Sequence, residues 1–349
     1  TKFYKNILGG IKMIKKSISL LLLFVFIITS VLAGCSKDST ISKENDLIKI
    51  KVAHVLAPNH PVNKGLEKFA EVLDKETNGK VKVDIYDSGV LGGEAEALNQ
   101  VISGSLDASI ITTMSIWQGM NPQAGVEDLP FLFKDAEMAR RALDGDYGKT
   151  VVSEIIEPTG VKLINFWESG FRHFTNNNLP IVEPKDMEGI KFRSAEVPIR
   201  IEMFNTLGAS AIPMAFPEVF TGLQQGTIDG QENPLSIIST SKFNEVQKYL
   251  SLSGHIYSSA LFIINPETWN SYPEDVKNAI QKAADEARDY ERQLVSKAEE
   301  TLVQELKEAG MKVNEVDKEA FIDAVQPVWD NFREKYGSEL IDAAIKYGN

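Results

Sequence analysis

The chain has 349 residues and a formal net charge of −12 at pH 7, from 37 lysines and arginines against 49 aspartates and glutamates. A chain this acidic is a poor candidate for binding nucleic acids or for lying on an anionic lipid surface. With 43% hydrophobic residues, it can form one or two domains with substantial cores.

The amino terminus has the pattern of a secretory signal. After Met13, two lysines precede an apolar stretch over residues 18–28, and Leu-Ala-Gly-Cys follows at 32–35. The apolar stretch is shorter than the roughly 20 residues of a membrane-spanning helix. We therefore predict a signal peptide over residues 1–34 whose true start is Met13, with residues 1–12 read from an upstream misreading of the frame.

The Leu-Ala-Gly-Cys ending resembles the lipobox of bacterial lipoproteins, and this resemblance implies a lipid on Cys35. Cys35 is the only cysteine, so lipidation leaves none for a disulfide, a nucleophile or a metal site. The polar residues over 35–47 predict a flexible tether. Removal of residues 1–34 takes away five lysines and no acids, which changes the net charge from −12 to −17. We expect an extracytoplasmic, lipid-anchored protein.

Strand and helix patterns alternate along the first part of the mature chain. Apolar periodicity predicts strands that begin at Ile48, Val81 and Ala108. Helical spacing predicts one helix from Pro61 to the Asn-Gly pair at 78–79 and another over 95–102. This alternation indicates an α/β domain with a largely parallel sheet, where ligands bind at the carboxyl ends of the strands.

The second part of the chain predicts a further α/β domain, entered near residue 170, and a long helix. The predicted helices are at 135–143, 146–158, 196–207 and 217–225, and the predicted strands are at 161–167, 249–253 and 260–264. From Pro273 nothing interrupts helical spacing before Gly310. Roughly 36 helical residues would extend about 54 Å, which is long enough to bridge both domains.

Two arginines lie within apolar and aromatic stretches that are typical of strands. Arg172 follows Gly170-Phe171, and Arg193 lies in Ile190-Lys191-Phe192-Arg193. A guanidinium in such surroundings needs an anion, and its planar fork suits a carboxylate. We predict that a ligand supplies this carboxylate. An ion pair with one of the chain's own acids is the alternative for either arginine.

The stretch that follows these arginines resembles a known family. Pro-Met-Ala-Phe-Pro-Glu-Val at 213–219, Leu-Gln-Gln-Gly at 223–226 and Asp-Gly-Gln-Glu-Asn-Pro at 229–234 are similar, in order and spacing, to the signature of solute receptors of TRAP (tripartite ATP-independent periplasmic) transporters. The resemblance implies an extracytoplasmic protein that captures a small organic acid and delivers it to a membrane permease.

The resemblance also implies the fold and its division. The family has a two-lobed α/β fold of the periplasmic binding protein type (type II-like), with hinged lobes braced by a long helix. We accordingly expect lobe I to comprise residues 48–169 and 258–297, and lobe II residues 170–257 and 298–349. The bridging helix is expected over about 273–309.

The resemblance assigns roles to four residues in or beside the signature. Arg193 and Arg172 would hold the ligand carboxylate, Asn233 would donate a hydrogen bond to it, and Phe216 would pack over the ligand. Gln231 flanks Asn233 and joins the candidates. Asn233 before a proline is otherwise typical of a turn, and Phe216 of a contact at a helix entry.

A second set of candidates follows strand ends in the first domain: His54, Asn59, Glu94, Trp117 and, before the arginines, Glu168. A carboxylate here would accept hydrogen bonds from hydroxyl groups, and tryptophan offers a flat face to a sugar ring. Because Glu94 supplies an acid rather than a second cation, a hydroxylated monocarboxylate such as a uronate or an aldonate is favoured over a dicarboxylate. Each of these residues could instead be a surface or core residue.

Catalysis and metal binding find little support. The chain has none of the common catalytic motifs, and its four histidines lack metal-ligand spacing. The metal-dependent branch of the family, which binds 2-oxo acids, differs near Asn233, so no cofactor or metal is expected.

Three other functions are the alternatives to a sugar-acid receptor. They are a C4-dicarboxylate receptor, a receptor that presents its ligand to a sensor kinase, and an extracytoplasmic hydrolase of carbohydrate acids with Glu94 and Glu168 as paired carboxylates.

Overall fold

The structure, a computed structural model, describes residues 47–348. The predicted signal peptide, the lipid-bearing Cys35 and residues 35–46 of the predicted tether lie outside the described residues. Within residues 47–348, no helix combines the length and apolarity needed to cross a bilayer.

The described part of the chain alternates strands and helices, as predicted. Its strands are β1 Ile48–Ala53, β2 Val81–Tyr86, β3 Ala108–Ile111, β4 Lys162–Asn176, β5 Lys191–Ser194, β6 Ser210–Pro213, β7 Gly230–Pro234, β8 Tyr249–Ile264 and β9 Lys312–Glu315. Its helices are α1 Pro61–Glu76, α2 Glu94–Ile102, α3 Ala136–Asp144, α4 Asp146–Val151, α5 Pro198–Thr206, α6 Val219–Gln225, α7 Leu235–Thr240, α8 Pro266–Ser271, α9 Glu274–Glu308, α10 Lys318–Ala324, α11 Gln326–Tyr336 and α12 Glu339–Ile345.

One sheet contains all of these strands, in the order β2-β1-β3-β8-β4-β7-β5-β6, with β9 beside β8. At one end β1 pairs in parallel with β2 and β3, and at the other end β5 pairs in parallel with β6 and β7. Between these groups β4 and β8 run antiparallel to each other. The predicted α/β class and two-lobed fold are confirmed.

The two central strands are longer than the sequence patterns predicted. β4 has 15 residues and β8 has 16, whereas the periodicity marked only their apolar ends. Their middles contain buried polar residues, among them Ser169 and Ser258, which break the apolar pattern. The pairing of β4 with β8 shifts register at three places, one of them between Glu168 and Gly170. Such bulges bend a strand, and this one lies at the predicted boundary between the lobes near residue 170.

The first helix shows how local sequence sets an element's limits. Pro61 occupies the first turn of α1, and the Nδ1 atom of His60 accepts a hydrogen bond of 3.1 Å from the backbone N–H of Val62. This contact satisfies one of the free N–H groups of the first turn. After the helix, Asn78 and Gly79 have φ values of 50° and 80°, which the Asn-Gly pair readily adopts.

The predicted long helix is present as α9, with 35 residues and therefore a length of about 52 Å, and its bridging of the two lobes stays a prediction. It packs against α1 and crosses β4. The contact with α1 is close because Gly65 has no side chain: a Cβ there would lie 2.4 Å from the ring of Trp167 and 3.0 Å from Cβ of Glu291. A glycine is therefore required where the three elements meet.

The carboxyl-terminal end of the chain contacts the predicted first lobe. Tyr347, after α12, accepts a 2.8 Å hydrogen bond from Arg141 through its carbonyl oxygen, and its hydroxyl accepts one of 2.8 Å from the N–H of Asp146. Both partners belong to the predicted first lobe, although residues 298–349 are assigned to the second. The end of the chain thus packs against the predicted lobe I, and the lobe boundaries stay a prediction.

All four histidines are buried, and burial lowers the pKa of each. For His60 and for His173 the pKa falls from 6.5 to about 3. A group with a lowered folded-state pKa contributes stability that is present above its unfolded pKa and is lost as the pH falls below 6.5 toward 3. Acid should therefore weaken the fold in a pH range where few carboxylates titrate.

We expect His60→Asn to reduce this acid sensitivity, since asparagine also caps helices well and does not titrate. Between pH 7.5 and 5.0 the free energy of unfolding should fall by about 1–2 kcal/mol less in the variant than in the wild type. Urea unfolding at both pH values measures this difference. If the free energy of unfolding falls by the same amount in the two proteins, His60 does not titrate on unfolding.

Candidate ligand-binding site

Arg193 lies on β5 and is only 4% exposed. Its Nε atom donates a 2.9 Å hydrogen bond to the carbonyl oxygen of Met214, and its Cζ atom lies 5.9 Å from the ring centroid of Phe216. Among the described residues no carboxylate forms a salt bridge with it. Burial lowers the pKa of Arg193 to about 10, while the charge of Glu232 acts in the opposite direction. A buried guanidinium without a counter-ion is suited to bind an anion.

Arg172, on β4, has a partner within the protein. Its Nε and Nη2 atoms donate to the two carboxylate oxygens of Glu232, and Nη2 also donates to the carbonyl oxygen of Glu232 at 2.7 Å and to Oδ1 of Asn233 at 2.9 Å. Both charged side chains are almost fully buried. The intramolecular ion pair therefore accounts for Arg172 in the structure, and a ligand contact by this residue stays a prediction.

Asn233 and Gln231 lie on β7, beside Arg172. Asn233 donates to Oε1 of Gln231, and Gln231 donates a 2.8 Å hydrogen bond to the hydroxyl of Thr175. Asn233 has the extended conformation of a strand, so the turn that its position before a proline suggested is not formed. The two amides position one another and Arg172.

Arg200 is a buried arginine that the sequence reasoning missed. It lies on α5 and is 1% exposed. Its guanidinium binds both carboxylate oxygens of Asp128, at 2.6 and 3.1 Å, and lies 3.4 Å from Oε1 of Glu232. Helical spacing in the sequence could have revealed Arg200, because Arg200 shares the buried face of α5 with Met203 and Phe204, three and four residues further on. A charged residue on an apolar helical face needs an explanation.

Among the described residues, these ion pairs leave one guanidinium without a bonded carboxylate. Arg172 and Arg200 are matched by Glu232 and Asp128, whereas Arg193 forms no such pair. Burial alone would raise the pKa of Glu232, but Arg172 and Arg200 together lower it well below its ordinary range, so this carboxylate is ionised. Burial alone would lower the pKa of Arg200, but Asp128 and Glu232 raise it. The cluster can therefore accept one further carboxylate.

Glu94 approaches the cluster from the first turn of α2. Its Oε1 atom accepts hydrogen bonds from the N–H of Thr112, at 2.6 Å, and from the hydroxyl of Thr112. Its charge acts on both Arg193 and Arg200. Glu94 is thus fixed at the edge of the cationic region and keeps oxygen lone pairs that can accept from hydroxyl groups.

A cavity of about 520 Å³ opens between the loop that precedes α2 and the segment that precedes α6. Met214, whose carbonyl oxygen binds Arg193, lines it, and so do three acids. The two walls touch nearby, because a Cβ on Gly93 would lie 3.5 Å from that of Ala215. The three acids are Glu96, Glu196 and Glu218.

Within residues 47–348, no hydrogen bond joins the other predicted residues of the first domain to this cluster. His54 is buried, and its Nε2 atom lies 3.1 Å from Oδ1 of Asn63. Asn59 is exposed. Trp117 is fully buried within the apolar core and donates to the hydroxyl of Thr159 at 3.0 Å. These contacts favour structural roles for His54 and Trp117. A structural role was the alternative to ligand binding for both residues.

Glu168 points to a different neighbourhood. It is 1% exposed and accepts a 2.8 Å hydrogen bond from Nε of Arg140, and its backbone N–H donates to Glu291 of α9. Burial raises the pKa of Glu168, and the charge of Arg140 opposes this rise. The carboxylate of Glu168 is thus bound by Arg140, whereas that of Glu94 is bound by Thr112.

Two α/β lobes on one sheet, braced by a long helix and enclosing a buried cation beside a cavity, define a solute-binding protein of the two-lobed extracytoplasmic kind. Residues 52–335 match the family described as bacterial extracellular solute-binding protein, family 7, and the chain belongs to this family. It is the family of TRAP transporter solute receptors, so the family resemblance is confirmed.

Relatives of known binding specificity are similar over most of their length. The C4-dicarboxylate-binding periplasmic protein of Rhodobacter capsulatus is 34% identical over 304 residues, which are 86% of this chain and 90% of the relative. The sugar acid binding protein of Advenella mimigardefordensis, solved with galactonate, is 37% identical with a TM-score of 0.82 and covers 86% of this chain and 98% of its own. A TRAP periplasmic solute binding protein of Polaromonas, bound to D-erythronate, is 36% identical with a TM-score of 0.82, covering 85% and 98%.

Proposed function

We propose that this receptor captures a hydroxylated monocarboxylate, a uronate or an aldonate, and that Arg193 holds the carboxylate. The observation that carries the proposal is the buried guanidinium of Arg193, which has no carboxylate partner in the described chain. A ligand carboxylate would supply the missing negative charge and would be held by charge-assisted hydrogen bonds. Phe216, 5.9 Å from that guanidinium, would cover the ligand.

The acids around the cavity favour a ligand with a single carboxylate. Glu96, Glu196 and Glu218 line the cavity together with Met214, which binds Arg193, and the charge of Glu94 acts on Arg193. A second carboxylate there would meet like charges, whereas hydroxyl groups would find acceptors. The volume of about 520 Å³ lies within the range of roughly 300–1,000 Å³ that is typical of small-molecule sites.

The relatives support the same class of ligand. Two of the similar proteins of known structure carry aldonates, galactonate and D-erythronate. A relative that binds C4-dicarboxylates is similar to nearly the same extent, so a C4-dicarboxylate is the second candidate. The count of buried charges favours the first candidate, because Arg172 and Arg200 are already matched by Glu232 and Asp128.

The transport role places the receptor outside the cytoplasm. We propose that Cys35 carries a lipid that anchors the chain to the cell membrane, and that the ligand-loaded receptor delivers its acid to a membrane permease without altering it chemically. Closure of the two lobes over the ligand would couple binding to recognition by the permease, because the ligand contacts both lobes only in the closed form.

A thermal-shift and calorimetry panel tests the proposal. Galactonate, D-glucuronate and D-erythronate should each raise the melting temperature, with affinities at least about tenfold tighter than that of succinate. The compounds should be recovered unchanged after incubation, as expected of a receptor. Tighter binding of succinate would favour the second candidate, and consumption of any compound would indicate an enzyme.

A further inference from the structure

The first turn of α5 contacts the segment 113–128 at two points. The backbone N–H of Ile199 donates a 3.0 Å hydrogen bond to Oε1 of Gln118. One residue further, the side chain of Arg200 reaches Asp128. α5 belongs to the predicted second lobe and segment 113–128 to the predicted first lobe. The two contacts therefore join the lobes rather than stabilising either lobe alone.

The contact of Arg200 with Asp128 has the geometry of a strong ion pair. Nε lies 2.6 Å from Oδ2 and Nη2 lies 3.1 Å from Oδ1, so two parallel hydrogen bonds form. Nη2 also donates to the hydroxyl of Thr113 at 2.9 Å and to that of Ser258 at 3.2 Å. Every one of these oxygen atoms belongs to the predicted first lobe.

The remaining nitrogen of Arg200 faces the second lobe. Nη1 lies 3.4 Å from Oε1 of Glu232, and the same carboxylate accepts from Arg172. Arg200 thus connects Asp128 on one lobe with the Glu232–Arg172 pair on the other. All three of its guanidinium nitrogens are engaged by protein oxygens, which separates it from Arg193, whose guanidinium has no carboxylate partner among the described residues.

Lobe separation would break this pair. The side chains of Arg200 and Asp128 are 1% and 0% exposed, so moving α5 away from segment 113–128 would admit water between them. The bidentate geometry and the two additional hydroxyl acceptors exist only while the lobes are together. Contacts that one conformation has and the other lacks shift the population toward the first conformation.

We propose that Arg200 is a positioning residue that holds the two lobes together, through Asp128 on one side and Glu232 on the other, and so sets how readily the receptor closes over any ligand. This inference rests on the proposed function for its ligand, but not on which acid is bound. It predicts an effect of Arg200 that is uniform across ligands, since the apparent dissociation constant is the intrinsic constant divided by the closed fraction.

The test compares Arg200→Met with a matched control. Arg140→Met removes an arginine whose partners, Glu168 and Ser296, belong to the same predicted lobe as Arg140 itself. The probes are galactonate and D-erythronate, which differ in length. In Arg200→Met we expect both dissociation constants to rise by the same factor, roughly 10- to 100-fold. In Arg140→Met both should change less than about threefold.

A distance measurement gives a readout that a purely structural role would not change. Spin labels at Asn99 and Gln224, exposed residues on the two predicted lobes, are introduced into the full chain with Cys35→Ser. In Arg200→Met the distance distribution should shift to longer distances with and without galactonate. Unchanged distances between the two labels would overturn the inference. Rises in the two dissociation constants that differ by more than about threefold would also overturn it, because they would indicate that Arg200 contacts the ligand directly.

A second variant covers the case in which the single substitution does not fold. Arg200→Met combined with Asp128→Asn removes both charges and leaves neither buried alone, and it should show the same shift to longer distances. If the wild type binds none of the sugar acids, the proposed function has failed. The distances in the ligand-free proteins would still decide whether Arg200 holds the lobes together.

Discussion

Replacement of Arg193 by alanine should reduce the affinity for galactonate or D-erythronate between about 30-fold and several thousand-fold. Truncating one partner of a buried, hydrogen-bonded charge pair costs about 2–5 kcal/mol, because the other charge is left without a partner. In this receptor the charge left behind is that of the ligand carboxylate. Isothermal titration calorimetry on the wild type and the variant measures the difference.

The same substitution should change thermal stability little. In the described chain Arg193 donates a hydrogen bond to Met214 and contacts the ring of Phe216, but it has no carboxylate partner. Its removal loses about 1 kcal/mol of hydrogen bonding. This loss is offset because a guanidinium no longer has to be kept away from water. A large loss of stability would instead indicate an ion pair within the fold.

Two controls make the experiment specific. Arg193→Lys keeps the positive charge but loses the planar fork, so an intermediate affinity is expected. Arg141→Ala removes an exposed arginine that pairs with Glu137 on α3, and ligand affinity should be unchanged. Undiminished binding of the sugar acids by Arg193→Ala would contradict the assignment of the carboxylate to this residue.

The sequence was sufficient for those parts of the fold that follow from apolar periodicity. The limits of α9 were predicted within one residue at each end, because helical spacing continues without a glycine or proline between Pro273 and Gly310. β4 and β8 were recognised only at their apolar ends. Their polar middles are buried by partners from distant parts of the chain, and such partners leave no local pattern.

The site was predictable to a smaller extent, and for a related reason. The arginines were found because each interrupts an apolar stretch, but a sequence does not say which arginine meets an acid of the chain itself. The pairing of Arg172 with Glu232 follows from the antiparallel register of β4 and β7, 60 residues apart. Trp117 follows a strand end, as site residues often do, yet the helical segments around it cover it completely.

Substitution of Glu232 by glutamine should destabilise the fold by about 3–5 kcal/mol at pH 7, since it leaves two buried guanidinium groups with less negative charge. Arg172 loses the only carboxylate partner that it has among residues 47–348, whereas Arg200 keeps Asp128. Urea unfolding measures the difference in free energy. Glu188→Gln, which changes an exposed glutamate of the same predicted lobe, should alter stability by less than about 0.5 kcal/mol.

The pH dependence of that difference identifies its cause. The folded-state pKa of Glu232 is lowered from 4.5, so the stability it contributes is present above pH 4.5 and is lost as the pH falls below that value. The difference in the free energy of unfolding between wild type and Glu232→Gln should accordingly have its full size at pH 7 and should become smaller once the pH falls below about 4.5. A difference that stays constant down to pH 3 would indicate altered packing instead of lost charge.

The same variant also tests whether the balance of buried arginines and acids selects ligands with a single carboxylate. With Glu232 neutral, Arg172 becomes a second cation without a carboxylate partner beside Arg193, and a second ligand carboxylate could be accommodated. Succinate and D-erythronate both have four carbons, so their ratio of affinities isolates the effect of the additional carboxylate. That ratio should move toward succinate in Glu232→Gln, even if both affinities fall. An unchanged ratio would mean that the charge of Glu232 has no part in restricting the receptor to a single carboxylate.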